Sequence, residues 1–296
     1  MLGLLRKLFL LAAILWIVSF PAAFFIGGIA FSHPDRQKVN VEVLRGAMRP
    51  EWDLSFLGAA REVRVALGDR TYMSASVFGG NSWATVIVLH GADETRVAAL
   101  DAAYQLWKGG LDVVLVDRRA HGSSDGDLLP LFGGETADVK SLVDAVLREH
   151  WTGTQRIGLF GIADGGTTCL MAAAQDERID AVAAANPAVR AADFIEDDLA
   201  GMFNLPQFIV TLQARVAALG VSMVSGVDSQ KLDANAVLAG MKAPVYLLRT
   251  PGTPQGRRVA AVAKALPPRG TEIDNLDGED DPDRYDGLVN FFRRTL

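Results

Sequence analysis

The chain has 296 residues, half of them apolar, which suits one catalytic-sized α/β domain with a large core and a short appendage. A net charge of −6, with no block of lysine and arginine on a regular face, argues against nucleic acid as a partner. One cysteine, Cys169, excludes an internal disulfide framework, and no P-loop, dinucleotide fingerprint or Cys/His cluster calls for a cofactor or a metal.

Residues 8–31 are apolar apart from Ser19, Pro21 and glycines, long enough to cross a bilayer, which takes about 20 such residues. The run exceeds the h-region of a simple secretory signal, about 7 to 15 residues, so residues 1–31 are predicted to be an uncleaved single-pass anchor. Arg6 and Lys7 draw the N-terminus to the cytoplasm against the pull of Arg36, Lys38, Arg45 and Arg49, and the body is expected outside the cytoplasm. Residues 32–58 are polar and mixed, with Pro34 and Pro50, and read as a juxtamembrane linker ahead of a domain at 59–296.

Within that domain, residues 61–67 and 71–77 alternate apolar and polar around Gly68-Asp69, the pattern of a half-exposed antiparallel hairpin. Residues 85–89 and 112–116 are continuous β-branched runs, as expected of central parallel strands. A helix is predicted at 98–106, stopped by Gly109-Gly110, and a strongly amphipathic one at 136–150. Residues 156–160 form a compact apolar run, followed at once by the glycine-rich turn Gly161-Ile162-Ala163-Asp164-Gly165-Gly166 and a small-residue helix. Further strands are predicted at 181–185, 244–248 and 272–273, with a terminal helix through Leu288, Phe291 and Phe292. Strands alternating with helices after an antiparallel start predict a doubly wound, mostly parallel sheet. Residues 191–242 show no strand pattern and read as a small helical lid.

The segment from Thr85 to Pro187 resembles the α/β-hydrolases, of the kind tethered by one N-terminal helix and related to serine peptidases and lipid esterases. The resemblance rests on His90-Gly91 after the third strand and on Asp117-Arg118-Arg119-Ala120-His121-Gly122-Ser123-Ser124-Asp125-Gly126 after the fourth. It rests also on Gly133-Gly134-Glu135 with Asp138 opening a helix, and on the turn at 161–166, which has the strand-turn-helix context of the G-x-S-x-G nucleophile elbow. At the centre of that elbow stands Ala163, which has no nucleophilic atom.

The resemblance implies an oxyanion hole built from backbone N–H groups, one after the His-Gly turn and one after the nucleophile. On this chain that pocket falls at His90, Gly91, Ala92 and Asp164, and the Asp164 carboxylate disfavours a developing oxyanion beside it. The acid of the triad aligns with Thr253 and the histidine with Glu279. The four histidines, His33, His90, His121 and His150, all precede the elbow, so no downstream histidine is there to serve as the base. A nucleophilic Asp164 would put Ile162 where a small residue is needed and would still lack that base. Ser123 and Ser124 read as hydroxyls that cap backbone groups, His90 and His121 as hydrogen-bonded turn residues, and Cys169 as a small buried hydrophobe. The acidic run at 274–283 fails the EF-hand ligand pattern and reads as a solvated loop.

Fold and loss fit together as a membrane-tethered α/β-hydrolase-fold pseudoenzyme. Its expected partners are the membrane, a small acyl or peptide-like ligand, or a protein. The alternative is an active ester or peptide hydrolase with a rearranged site.

Overall fold

The structure is a computed structural model. It describes residues 7 and 37–296, apart from 80, 81, 93, 131, 150, 152–155, 203–205, 229–232, 277, 279, 280 and 282. The predicted anchor at 8–31, His33, His150 and Glu279 therefore lie outside the described residues.

Eight strands form one sheet in the order β1-β2-β4-β3-β5-β6-β7-β8. β1 (Ala60–Ala66) and β2 (Tyr72–Phe78) make the expected antiparallel hairpin, but β2 is buried from Met73 to Phe78 rather than half exposed, because it pairs on its other side, antiparallel, with β4 (Asp112–Val116). From β4 onward the sheet is parallel, through β3 (Ala84–Leu89), β5 (Arg156–Ile162), β6 (Ile179–Ala185), β7 (Val245–Arg249) and β8 (Thr271–Asn275). The β-branched runs of β3 and β4 are buried along their whole length because helices cover both faces. Alternation along one strand then feeds two cores. Ile87 and Leu89 face one of them, Val86 and Val88 the other.

Helices α1 (Val41–Ala47) and α2 (Ser55–Gly58) correct the linker reading of 32–58. From residue 37 this segment packs onto the domain. Trp52 stacks on Tyr104 at 4.5 Å, and Phe56 stacks on Phe78 at 4.1 Å. The sequence is polar on average, but Val39, Leu44, Trp52, Phe56 and Leu57 fall on the docked side, with Leu44 and Phe56 fully buried, while Val43 and Leu54 stay exposed. Val39 exchanges hydrogen bonds with the Ser123 hydroxyl, and Arg96 donates to the Val39 carbonyl at 3.0 Å. These contacts place the start of the described chain at the C-terminal edge of the parallel strands, beside the loop that follows β4.

On the remaining chain, α3 (Leu100–Lys108), α4 (Thr136–Glu149) and α5 (Ala163–Ala173) follow β3, β4 and β5 respectively. The 191–242 region is helical, as expected, in α6 (Ala191–Met202), α7 (Gln207–Ser225) and the short α8 (Asn235–Leu238). Its inner side chains join the core through Ile195, Ala214, Ala217 and Val221, and Phe194 meets Phe132 edge-on. Two further helices, α9 (Pro254–Ala265) and α10 (Asp286–Thr295), complete the layers.

Candidate active site

β5 ends at Ile162 and α5 starts at Ala163, with no residue between them. Reversal in so little chain forces Ala163 to a left-handed φ of 50°, a conformation that costs a non-glycine residue roughly 1–2 kcal/mol. The flanking glycines are dictated by close approach. A Cβ on Gly161 would lie 2.4 Å from the Gly165 carbonyl oxygen, and one on Gly165 would lie 2.2 Å from the His90 carbonyl oxygen. Gly165→Ala should therefore destabilise the fold by about 3–5 kcal/mol, read as a fall in the urea midpoint at unchanged slope, because backbone on both sides must move. A loss under about 1 kcal/mol would mean the elbow is loosely held. The elbow and its strain are intact around an alanine.

Ala163 faces the His-Gly turn. A Cβ on Gly91 would stand 3.6 Å from the Ala163 Cβ. A serine at 163 would thus carry its hydroxyl beside the N–H groups expected to form the oxyanion hole. The donors on the His-Gly side are already taken. Ala92 N–H donates to Asp164 Oδ1 at 2.6 Å, and Gly91 N–H donates to Glu94 Oε2 at 3.1 Å. The Asp164 carboxylate, expected from sequence to repel an oxyanion, instead sits where one would be held.

Its charge is met from below. Arg118 Nη1 lies 2.7 Å from Asp164 Oδ2, an ion pair whose alignment is imperfect because the same nitrogen donates to the His90 carbonyl at 3.1 Å. The guanidinium grips Glu135 with two further bonds, Nε to Oε1 at 3.1 Å and Nη2 to Oε2 at 2.5 Å. Thr168 Oγ1 donates to Glu135 at 3.2 Å. Arg118, Glu135 and Asp164 are each at most 3 % exposed. Burial disfavours the Arg118 charge, but the Asp164 and Glu135 carboxylates override it and hold the guanidinium protonated. Burial raises the Glu135 carboxyl, with Arg118 opposing the rise.

Arg119, the next residue, pairs bidentately with Asp138 at 2.8 Å for both bonds. The two arginines of the β4 loop thus clamp the two carboxylates at the start of α4, Glu135 and Asp138. Sequence reading placed these motifs in order but did not pair them. It missed Glu94 altogether; the signal for it was an acid in the loop after the His-Gly turn.

His90 is fully buried, and both its ring nitrogens are engaged. Its Nε2 accepts the Arg118 N–H at 3.0 Å, so its Nδ1 carries the proton and donates to the Gly91 carbonyl at 2.6 Å. Burial, and then the Arg118 and His121 charges, hold its pKa well below the ordinary 6.5. A depressed histidine takes up its proton in the unfolded chain first, so stability should fall as pH drops below about 6.5, by up to about 1.4 kcal/mol per pH unit. Glu135 contributes with the opposite sign, because its raised carboxyl takes up its proton in the folded chain first. Urea midpoints between pH 7.5 and 5.5 check this: His90→Asn should flatten the slope by about one proton, and an unchanged slope would place the titrating group elsewhere.

Ser123 and Ser124 bind backbone groups, as read from sequence. Ser124 Oγ donates to the Asp117 carbonyl and accepts the Ser74 N–H, while Ser123 serves Val39. Cys169 is buried, and burial pushes its thiol above the ordinary range, which suits a packing role. Thr253 lies in the loop after β7, where the triad acid was aligned. Its Oγ1 accepts the Gly256 N–H at 3.0 Å and donates to the Thr250 carbonyl at 2.8 Å, so the side chain caps α9. Asn186 and Thr250 exchange two bonds of 2.8 Å across the ends of β6 and β7, a link without a sequence signal.

The profile of the X-Pro dipeptidyl-peptidase family, S15, matches residues 48–261. The chain belongs to the S15 family. Among solved structures, this S15-family chain is similar to an esterase of Pyrococcus furiosus at a TM-score of 0.67 and 19% identity, over 90% of this chain and 98% of that one. It is similar also to an α/β hydrolase from Penicillium sp. sh18 at a TM-score of 0.63 and 17% identity, over 80% and 99%. At such identities the likeness shows the α/β-hydrolase fold alone. A curated relative, an uncharacterized 31.7 kDa protein from the traX-finO intergenic region of Escherichia coli, is 32% identical over 101 residues. That match spans 33% of this chain, and the chain spans about a third of the relative's length.

Proposed function

We propose that this chain is a pseudoenzyme of the S15 family, held at a membrane by residues 8–31, that binds a small acyl or peptide-like ligand or a protein partner without hydrolysing it. One observation carries the reading: the Asp164 carboxylate accepts the Ala92 N–H at 2.6 Å, at an elbow whose nucleophile position is Ala163. Loss of a serine alone would leave an oxyanion hole, and such holes retain about 10³- to 10⁴-fold acceleration over water. Here the donor itself is engaged by a buried side chain that is ion-paired with Arg118. The absence of any histidine after the elbow points the same way, since a hydroxyl without a base is a weak nucleophile. The long apolar run at the N-terminus supports the tether.

The family match and the esterase neighbour favour the second reading, a hydrolase with a rearranged site. Kinetics of the full chain in detergent micelles separate the two. With short-chain nitrophenyl esters and with a Gly-Pro nitroanilide, release of the chromophore should equal the micelle blank, and a fluorophosphonate probe should leave the chain unlabelled. Saturable turnover of either substrate would establish the hydrolase reading.

A further inference from the structure

The lid helix α7 has two unlike faces. Val210, Ala214, Ala217 and Val221 are buried against the domain. On the opposite side, Phe208 is 70 % exposed, Leu212 36 %, Leu219 56 % and Met223 72 %. At about 100° per residue these four fall within an arc of about 60°, so they form one continuous apolar stripe rather than scattered exposures. The stripe runs the length of a 19-residue helix, roughly 28 Å at 1.5 Å per residue. Its neighbour on that face is Arg215, the one charged residue of α7.

Among the described residues α7 is also the helix long and apolar enough to cross a membrane, by length and composition. It does not have the surroundings of a spanning helix, because its inner face belongs to the domain core. A helix with one face in a protein core and the other apolar and exposed suits the plane of a bilayer surface, not its normal.

The place where the chain enters the fold decides what covers the stripe. Val39 is fixed beside Ser123 and Arg96, at the C-terminal edge of the parallel strands. The lid lies at that same edge: a Cβ on Gly134, which precedes α4, would stand 3.0 Å from the Val227 side chain just beyond α7. Val39, which follows the apolar run at 8–31 closely in sequence, is thus fixed at the edge of the domain where α7 ends. A body tethered there presents this edge to the bilayer, and α7 comes within reach of the lipid at high effective concentration.

We infer that α7 is an interfacial membrane-docking helix. Phe208, Leu212, Leu219 and Met223 insert into the headgroup–acyl boundary, and Arg215 lies at the level of anionic headgroups. This inference rests on the membrane tether proposed above and adds a second contact, which fixes the orientation of the domain. The elbow edge then faces lipid, and a ligand would reach it from the membrane side.

Fluorescence quenching on the full chain tests it. Single cysteines for an environment-sensitive dye are placed by Phe208→Cys, Leu219→Cys or Met223→Cys, and by Arg269→Cys in the exposed turn before β8, at the opposite edge. Cys169 is buried and stays unlabelled. Each chain is reconstituted in phosphatidylcholine–phosphatidylglycerol vesicles containing nitroxide lipid and recovered by flotation. Quenching at 208, 219 and 223 should exceed that at 269 several-fold. Phe208→Glu with Met223→Glu should reduce quenching at 219 while flotation persists. Equal quenching at all positions in floating vesicles overturns the docking and leaves the tether standing. A chain that does not float overturns both. A blue-shifted dye at 219 that lipid nitroxide does not reach and that reddens on dilution identifies a second copy on the stripe, which also overturns the inference.

Discussion

A chain carrying Ala163→Ser, Thr253→Asp and Glu279→His should hydrolyse nitrophenyl esters no faster than the blank until Asp164 is also shortened to alanine. The three changes supply a nucleophile, an acid and a base, and Asp at 253 can still cap α9 as the threonine does. They leave the Ala92 N–H donating to Asp164 at 2.6 Å, so the tetrahedral intermediate meets a carboxylate where it needs a donor. Losing one oxyanion donor costs about 10²- to 10³-fold in kcat, and a fixed negative charge in its place adds to that. Asp164→Ala on the triple background should therefore raise kcat by at least about 10²-fold. The fold should tolerate it, because Arg118 keeps its paired bonds to Glu135. If triple and quadruple variants turn over equally fast, the Asp164 carboxylate does not obstruct the site.

The second large effect is on stability. Arg118→Met removes the one cation between two buried carboxylates and should cost about 3–5 kcal/mol, read as a fall in the urea denaturation midpoint. The penalty comes from leaving Glu135 and Asp164 buried without a counter-charge, not from the net worth of the ion pairs. Adding Glu135→Leu and Asp164→Ala to Arg118→Met should accordingly recover most of the loss, since an apolar cluster carries no unpaired charge. A cost below about 1 kcal/mol for Arg118→Met alone would show that water reaches these carboxylates.

The sequence made the elbow legible because its demands are local. Only glycine fits at 161 and 165, where backbone passes within 2.4 Å of a would-be Cβ, so strand, glycine turn and small-residue helix leave an unmistakable pattern. The residue at the centre of the elbow was equally legible. An alanine at 163 and histidines confined to positions 33 to 150 are facts of composition and order. The segment at 37–58 was misread for the converse reason. Its anchoring residues, Val39, Leu44, Trp52 and Phe56, are too few and too irregularly spaced to show a period, and their burial depends on partners such as Tyr104, Phe78 and Ser123 far along the chain.

What the sequence by itself determined is the fold class, the order of strands and helices along the chain, the elbow with alanine at its centre, and a carboxylate next to that alanine. Tertiary structure alone decided what that carboxylate does. Asp164 is 72 residues from Ala92, and Arg118 is 17 from Glu135, separations at which spacing carries no information about who meets whom. Their pairing follows from parallel strands β3, β4 and β5 ending side by side, which brings three loops into one buried site. The exposed stripe of α7 belongs to the same class. An apolar helix reads alike in sequence whether its faces are covered or bare, and only packing of one face into the core reveals the other as free.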